Sequence, residues 1–126
     1  MDYFERKLDD KRRLTIPAEL RREFESGLIL TRGFNKYLHM YPKQVWDDEV
    51  EPKLKGDILS EQVADLNVQF RSGKVDGALD KKQGRVTLEN HLLEYAGIDK
   101  DVIAVRAGNY WRLSAPISTE VQHFNK

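Results

Sequence analysis

The chain has 126 residues, 40% of them hydrophobic and 33% charged, with no cysteine and with 21 basic residues balanced by 21 acidic ones. That mixture fits one compact domain and is too apolar for a disordered chain. It excludes disulfides, thiolate catalysis and cysteine-bound zinc, it leaves no apolar run near the roughly 18 residues a membrane helix needs, and zero net charge gives no overall pull toward nucleic acid or anionic lipid.

The first residues, Met1 to Lys7, hold no apolar run of signal-peptide length, so a cytoplasmic address is expected. The charge is unevenly placed: residues 1–46 carry +3, residues 47–76 carry −4 and residues 77–126 carry +1. Much of the basic charge lies in one segment, Arg6-Lys7-Leu8-Asp9-Asp10-Lys11-Arg12-Arg13. It leads into a short apolar strand ending at Ile16. Pro17 suits the first position of a helix, Leu20 and Phe24 share its inner face, and Gly27 closes it. Leu28 to Leu30 and Tyr37 to Tyr41 form a hairpin around Gly33 and Asn35, both tolerant of the positive φ that tight turns require. From Pro42 the pattern turns helical and acidic, with Val45, Trp46, Val50 and Leu54 on one stripe and a break at Pro52, which lacks an N–H. A second helix follows, with Ser60 as its N-cap, Val63, Leu66 and Phe70 on one face and Gly73 as its stop.

The chain then repeats itself. Leu8 to Ile16 reads against Leu79 to Leu88 with one extra residue in the second copy, after which an offset of 72 pairs Leu20 with Leu92. An offset of 74 then pairs Ile29 with Ile103, Arg32 with Arg106, Asn35 with Asn109 and Pro42 with Pro116. Each copy reads as a charged turn, a β-branched strand, a short helix and a hairpin. Units this small bury too little surface alone. The expected architecture is therefore α+β and mainly β: two copies sharing one barrel-like core, with residues 1–52 holding the first repeat, 53–76 a helical connector and 77–126 the second.

These residues resemble the MraZ family, bacterial transcription factors of the SpoVT-AbrB superfamily with two swapped-hairpin units in one chain. The resemblance covers residues 3–115. It rests on Asp9-Asp10-Lys11-Arg12-Arg13-Leu14-Thr15-Ile16-Pro17, on Gly84-Arg85-Val86-Thr87-Leu88 followed by Leu93-Glu94-Tyr95-Ala96-Gly97-Ile98, and on Tyr41-Pro42 with Trp46. Arg12 stands where the family signature has glycine, and one residue is inserted between Asp80 and Gly84. The resemblance implies a pseudo-twofold barrel and a sequence-specific regulator that binds short repeated G-containing boxes in double-stranded DNA. The boxes lie upstream of its own division and cell-wall operon, which such regulators usually repress. It also implies a homo-oligomer, often a ring, located in the cytoplasm on the nucleoid.

DNA-contacting arginines of single-unit relatives map onto Arg6, Arg13, Arg21 and Arg22. In the second copy the counterparts of Arg21 and Arg22 are apolar, near Leu92 and Leu93, and Arg85 remains, so contact is expected to be led by the first half. Lys11, Arg12 and Lys82 complete the expected DNA-binding set. Structural alternatives stand beside these roles: a solvated charged turn at Arg6 to Arg13, ion pairs of Arg21 and Arg22 with Glu19 or Glu25, and an Arg85–Asp80 pair. Arg12 would either strain a turn that needs positive φ or add a cation to the surface.

His39, His91 and His123 have no metal-ligand spacing, and Asp9, Asp10 and Asp80 lie beside cations that favour their ionised forms, unlike a tuned general acid. No catalytic residue, cofactor or metal is expected, and the chain does not read as an enzyme. Trp46 and Trp111 read as core anchors. An antitoxin-like DNA-binding protein and an interaction module that has lost DNA binding are the two competing functions.

Overall fold

The computed structural model describes residues 1–57 and 59–116. Ile58, in the expected connector, and residues 117–126, the end of the expected second repeat with His123, lie outside the described residues. The strands are β1 (Tyr3–Lys7), β2 (Arg13–Thr15), β3 (Leu28–Arg32), β4 (Leu38–Pro42), β5 (Val75–Gly77), β6 (Arg85–Thr87), β7 (Asp101–Ala107) and β8 (Tyr110–Ser114). The α-helices are α1 (Lys43–Val45), α2 (Glu51–Leu54), α3 (Glu61–Arg71) and α4 (Asn90–Ala96), and Ala18–Phe24 winds as a 3-10 helix.

Six strands form one antiparallel sheet in the order β1-β7-β8-β4-β3-β5, while β2 and β6 pair in a ribbon of their own. The expected closed barrel is not what these strands form. β1 and β5 are the edges of an open sheet, and the three-residue strands of the ribbon, only about 10 Å long, pair with each other alone. Exchanging β1 with β5, β3 with β7 and β4 with β8 reverses the six-strand order and returns the same order. The segments on either side of the connector are thus interleaved: β1 pairs with β7, β5 with β3, and β4 with β8.

Burial follows from what covers each strand. β3 and β4 are buried along almost their whole length because helical segments cover their outer face. β8 alternates between buried and half-buried positions, the signature of a sheet with one face toward solvent. The main core joins Leu14, Leu20, Phe24 and Met40 to Val86, Leu92, Val102 and Trp111. A second cluster of Ile29, Tyr41, Trp46, Leu54 and Phe70 holds the connector against the sheet. Both tryptophans are core anchors, as expected, at 2% and 0% exposure.

The break at Pro52 takes a particular form. Residues Trp46–Val50 wind as a π-helix between α1 and α2, and Pro52, which has no N–H, falls directly after this change of winding in the first turn of α2. The acidic connector satisfies part of its own charge: Asp47 pairs with Lys43 at 3.2 Å and Glu51 with Arg71 of α3. In the first hairpin the positive φ falls on Asn35 (55°) and Lys36 (66°), not on Gly33. Gly33 is needed for space, since a Cβ there would come within 2.1 Å of the His39 ring.

His39 is 1% exposed; its Nδ1 shares a hydrogen bond of 2.8 Å with the Tyr41 hydroxyl, and its Nε2 has no partner among the described residues. Burial first, and then the positive charge of Arg112, lower its pKa from 6.5 to about 4. As the pH falls, the unfolded chain takes up this proton before the folded one does. Stability is therefore expected to drop between about pH 6.5 and pH 4 and to level off below, by up to about 3 kcal/mol. Urea titrations across that range, with His39→Gln as the control lacking the step, check it; a wild-type midpoint that stays flat would refute it.

Candidate nucleic-acid interface

Two loops flank the ribbon, one entering each of its antiparallel strands from opposite ends, and each is organised by an aspartate. Asp9 Oδ1 accepts hydrogen bonds from the backbone N–H groups of Lys11 and Arg13, both at 2.9 Å, and its Oδ2 accepts from Arg13 Nε at 2.6 Å. Asp80 repeats the device: Oδ1 accepts from the N–H groups of Gln83 and Arg85 at 3.0 Å, and Oδ2 from Arg85 Nε at 3.0 Å and Nη2 at 2.9 Å. A short carboxylate that bonds its own backbone a few residues ahead makes a tight turn without help from the rest of the fold. Those bonds, led by the Arg85 N–H, hold the Asp80 carboxyl down at about 2. At Asp9 burial is the largest single influence and opposes ionisation, but the bonds from Arg13 and Lys11 together outweigh it and lower the pKa.

The ribbon fixes the loops side by side. Arg13 lies opposite Thr87, Leu14 opposite Val86 and Thr15 opposite Arg85. The ladder continues past both strands, because Ile16 N–H donates to the Gly84 carbonyl at 2.8 Å and Leu88 N–H to the Arg12 carbonyl at 2.9 Å. Leu14 and Val86 bury the underside in the core and leave the loops at the surface. Arg12 and Gly84 occupy the same left-handed turn position, with φ of 59° and 64°. Of the two outcomes expected for Arg12, the turn does need positive φ, and the arginine adopts it without reshaping the loop.

The expected DNA contacts divide by what already holds them. Lys11, Arg12, Arg22 and Lys82 are exposed and form no ion pair among the described residues. Arg13 is held by Asp9 through Nε alone, so both terminal nitrogens are left over. Arg85 is spent: two of its nitrogens bond Asp80 and the third lies 3.9 Å from Asp9 Oδ2, the structural alternative expected for it. Arg21 turns inward, donating Nε–H to the Ile16 carbonyl at 2.9 Å, and the ion pairs anticipated for Arg21 and Arg22 with Glu19 or Glu25 do not form. Arg6 stands apart on edge strand β1, where its Nη1 donates to the Glu5 carbonyl at 2.8 Å.

From the sequence Asp80 was expected as an ion-pair partner of Arg85, and Asp9 only as a carboxylate beside cations. Their organising role was signalled by the matching Asp-to-Arg spacing, four residues in one loop and five in the other.

A family model described as "MraZ protein, putative antitoxin-like" matches residues 1–64, which include the whole first loop. Proteins named "Transcriptional regulator MraZ" align over most of the chain. The one from Roseiflexus sp. (strain RS-1) is 34% identical over 113 residues, 90% of this chain and 78% of that protein. Those from Kocuria rhizophila and Micrococcus luteus are 37% identical over 106 residues and 38% over 102, covering 84% and 81% of this chain and 73% and 71% of those proteins. The chain belongs to the MraZ family.

That assignment makes it a transcriptional regulator and not an enzyme. Arg12 carries strain in this loop, since a non-glycine residue at positive φ costs roughly 1 to 2 kcal/mol. Glycine gives part of that back through the freer unfolded chain. Arg12→Gly is therefore expected to raise stability by about 0.5 to 1 kcal/mol. Urea midpoints at unchanged m-value measure it, and a loss of stability would contradict the assignment of strain.

Proposed function

We propose that this MraZ-family chain is a sequence-specific regulator that reads double-stranded DNA with the loop pair on the β2–β6 ribbon. Arg13 carries the reading. Asp9 orients its guanidinium through Nε and leaves Nη1 and Nη2 as a rigid fork. Such a fork matches O6 and N7 of guanine in the major groove, worth about 1 to 3 kcal/mol of discrimination. Because Asp9 also binds two backbone N–H groups, the loop survives without the Arg13 side chain.

Lys11, Arg22, Lys82 and, farther out, Arg6 meet backbone phosphates and set orientation without reading sequence. Arg85 serves by tying the two loops together. The palindromic strand order supports two interleaved copies of one hairpin unit, and with β5 as the counterpart of β1 the second copy begins at Val75, inside the connector 53–76 expected between residues 1–52 and 77–126.

One ribbon head covers only a few base pairs, and a neutral chain has no broad electrostatic grip. Useful affinity then needs several heads linked in a homo-oligomer, such as a ring, on repeated boxes at high effective concentration. The family resemblance puts those boxes upstream of the protein's own division and cell-wall operon, with repression as the outcome and the cytoplasmic nucleoid as the location. The family description favours one second reading, an antitoxin-like protein, which would share the DNA-reading head and add a toxin as partner.

Fluorescence anisotropy with upstream DNA and a scrambled duplex of equal length, at two salt concentrations, tests this reading. The wild type should prefer the upstream DNA and weaken steeply with salt. Arg13→Ala should lose more than tenfold in specific affinity with its fold intact, and Arg13→Lys should lose the preference while keeping the salt dependence. Wild-type affinity in Arg13→Ala would remove Arg13 as the reader, and no binding by folded wild type would turn the search to protein partners.

A further inference from the structure

Two clefts flank the ribbon in equivalent positions of the two halves, and each receives its guanidinium from a different element. By the offset of 72, Arg12 corresponds to Gly84 and Arg21 to Leu93. In one cleft the 3-10 helix supplies the arginine and the loop supplies the glycine. In the other the loop supplies the arginine and α4 supplies the leucine.

In the first cleft the arginine lies on the glycine turn itself. A Cβ placed on Gly84 would lie 2.1 Å from Arg21 Nε and 2.7 Å from its Cζ, so the guanidinium rests directly on the Gly84 backbone. The same Nε donates to the Ile16 carbonyl at 2.9 Å, and the Ile16 N–H donates to the Gly84 carbonyl at 2.8 Å. Arg21 thereby fastens the second loop to the end of the first strand of the ribbon. Gly84 is required twice, for its positive φ and for this close approach.

The second cleft is open. Leu93 is 6% exposed and packs into the main core, so the α4 counterpart of Arg21 turns away from the loop at Arg12. A side chain at position 12 therefore has room, in a cleft bounded by Asn90, Leu93 and Glu94. Arg12 is exposed and makes no hydrogen bond through its side chain and no ion pair among the described residues. It stands on the same loop as Arg13, one residue before it.

Resting on the DNA-reading function above, we infer that these two arginines divide the work in an unexpected way. Arg21 is a positioning residue that fixes the second loop and does not touch DNA. Arg12, which stands where the family signature has glycine, is an added contact to a backbone phosphate beside the Arg13 reading fork.

The test is the salt dependence of binding to upstream and scrambled duplexes, measured for the wild type, Arg12→Gly, Arg12→Lys and Arg21→Lys. Each neutralised phosphate contributes about 0.9 to the slope of log affinity against log salt. Arg12→Gly, whose backbone glycine suits, should lower that slope by about 0.9 and weaken both duplexes alike, while Arg12→Lys keeps the wild-type slope. Arg21→Lys retains the charge but not the planar contact with Gly84 and Ile16. It should keep the slope, lower the melting temperature and reduce the preference for upstream DNA severalfold.

An unchanged slope in Arg12→Gly overturns the phosphate contact. An Arg21→Lys protein matching the wild type in melting temperature and preference overturns the positioning role. Should Arg21→Lys fail to fold, the structural role is upheld and the Arg12 variants still decide the other half. A folded wild type without salt-sensitive preference for upstream DNA overturns the underlying function itself, an outcome distinct from either failure.

Discussion

Pairing of β2 with β6 is the constraint on which the rest of this molecule depends. The two strands lie about seventy residues apart in sequence, and each is too short to persist without the other. Their ladder buries Leu14 and Val86 beneath them and leaves two aspartate-braced loops side by side above. The six-stranded sheet obeys the same rule of exchange, since β1 completes its edge beside β7 and β5 completes the opposite edge beside β3. Neither half has a core of its own to retreat into, so the loops keep a fixed spacing for as long as the whole chain is folded.

Within that frame the two loops are copies in backbone and unlike in side chains. Asp9 and Asp80 make the same turn, and Arg12 and Gly84 take the same left-handed conformation. What differs is how much of each arginine the aspartate consumes. Asp80 receives two nitrogens of Arg85, and the remaining one faces Asp9; Asp9 receives one nitrogen of Arg13 and leaves the fork. The two repeats thus share a scaffold, one presenting a free guanidinium fork and the other a guanidinium held by carboxylates. The connector has a separate task. Its helices cover β3 and β4, where buried His39 is held neutral beneath the hairpin turn, and this ties the stability of the sheet to pH without involving the loops.

Much of this was legible in the residues. The repeat announced itself through Leu8 to Ile16 and Leu79 to Leu88, and Gly27 marked the end of the first short helix, where it takes positive φ. Trp46 and Trp111 stood at apolar positions and proved buried. The first helix was readable as helix but not as 3-10, because the i, i+4 spacing of Leu20 and Phe24 points to α-winding, whereas 3-10 turns align i and i+3. The hairpin turn was placed correctly around residues 33–36, while its strain went to Asn35 and Lys36. Gly33 answers to the His39 ring, a neighbour six residues away that sequence periodicity does not weigh.

By itself the sequence determined the elements that depend on neighbours in the chain: strands and short helices from apolar spacing, turns from asparagine and glycine, and a basic loop from its run of lysine and arginine. Only the tertiary structure decided that the strands make an open sheet and a separate ribbon. It alone showed that Arg21 lies on Gly84, that Arg85 is spent on carboxylates and that Arg13 keeps a free fork. Each of those outcomes is set by contacts between residues far apart in the chain, or by which atoms of one guanidinium a carboxylate takes. Spacing along a sequence carries the local geometry of a turn, but not the direction in which a long charged side chain finds its partner.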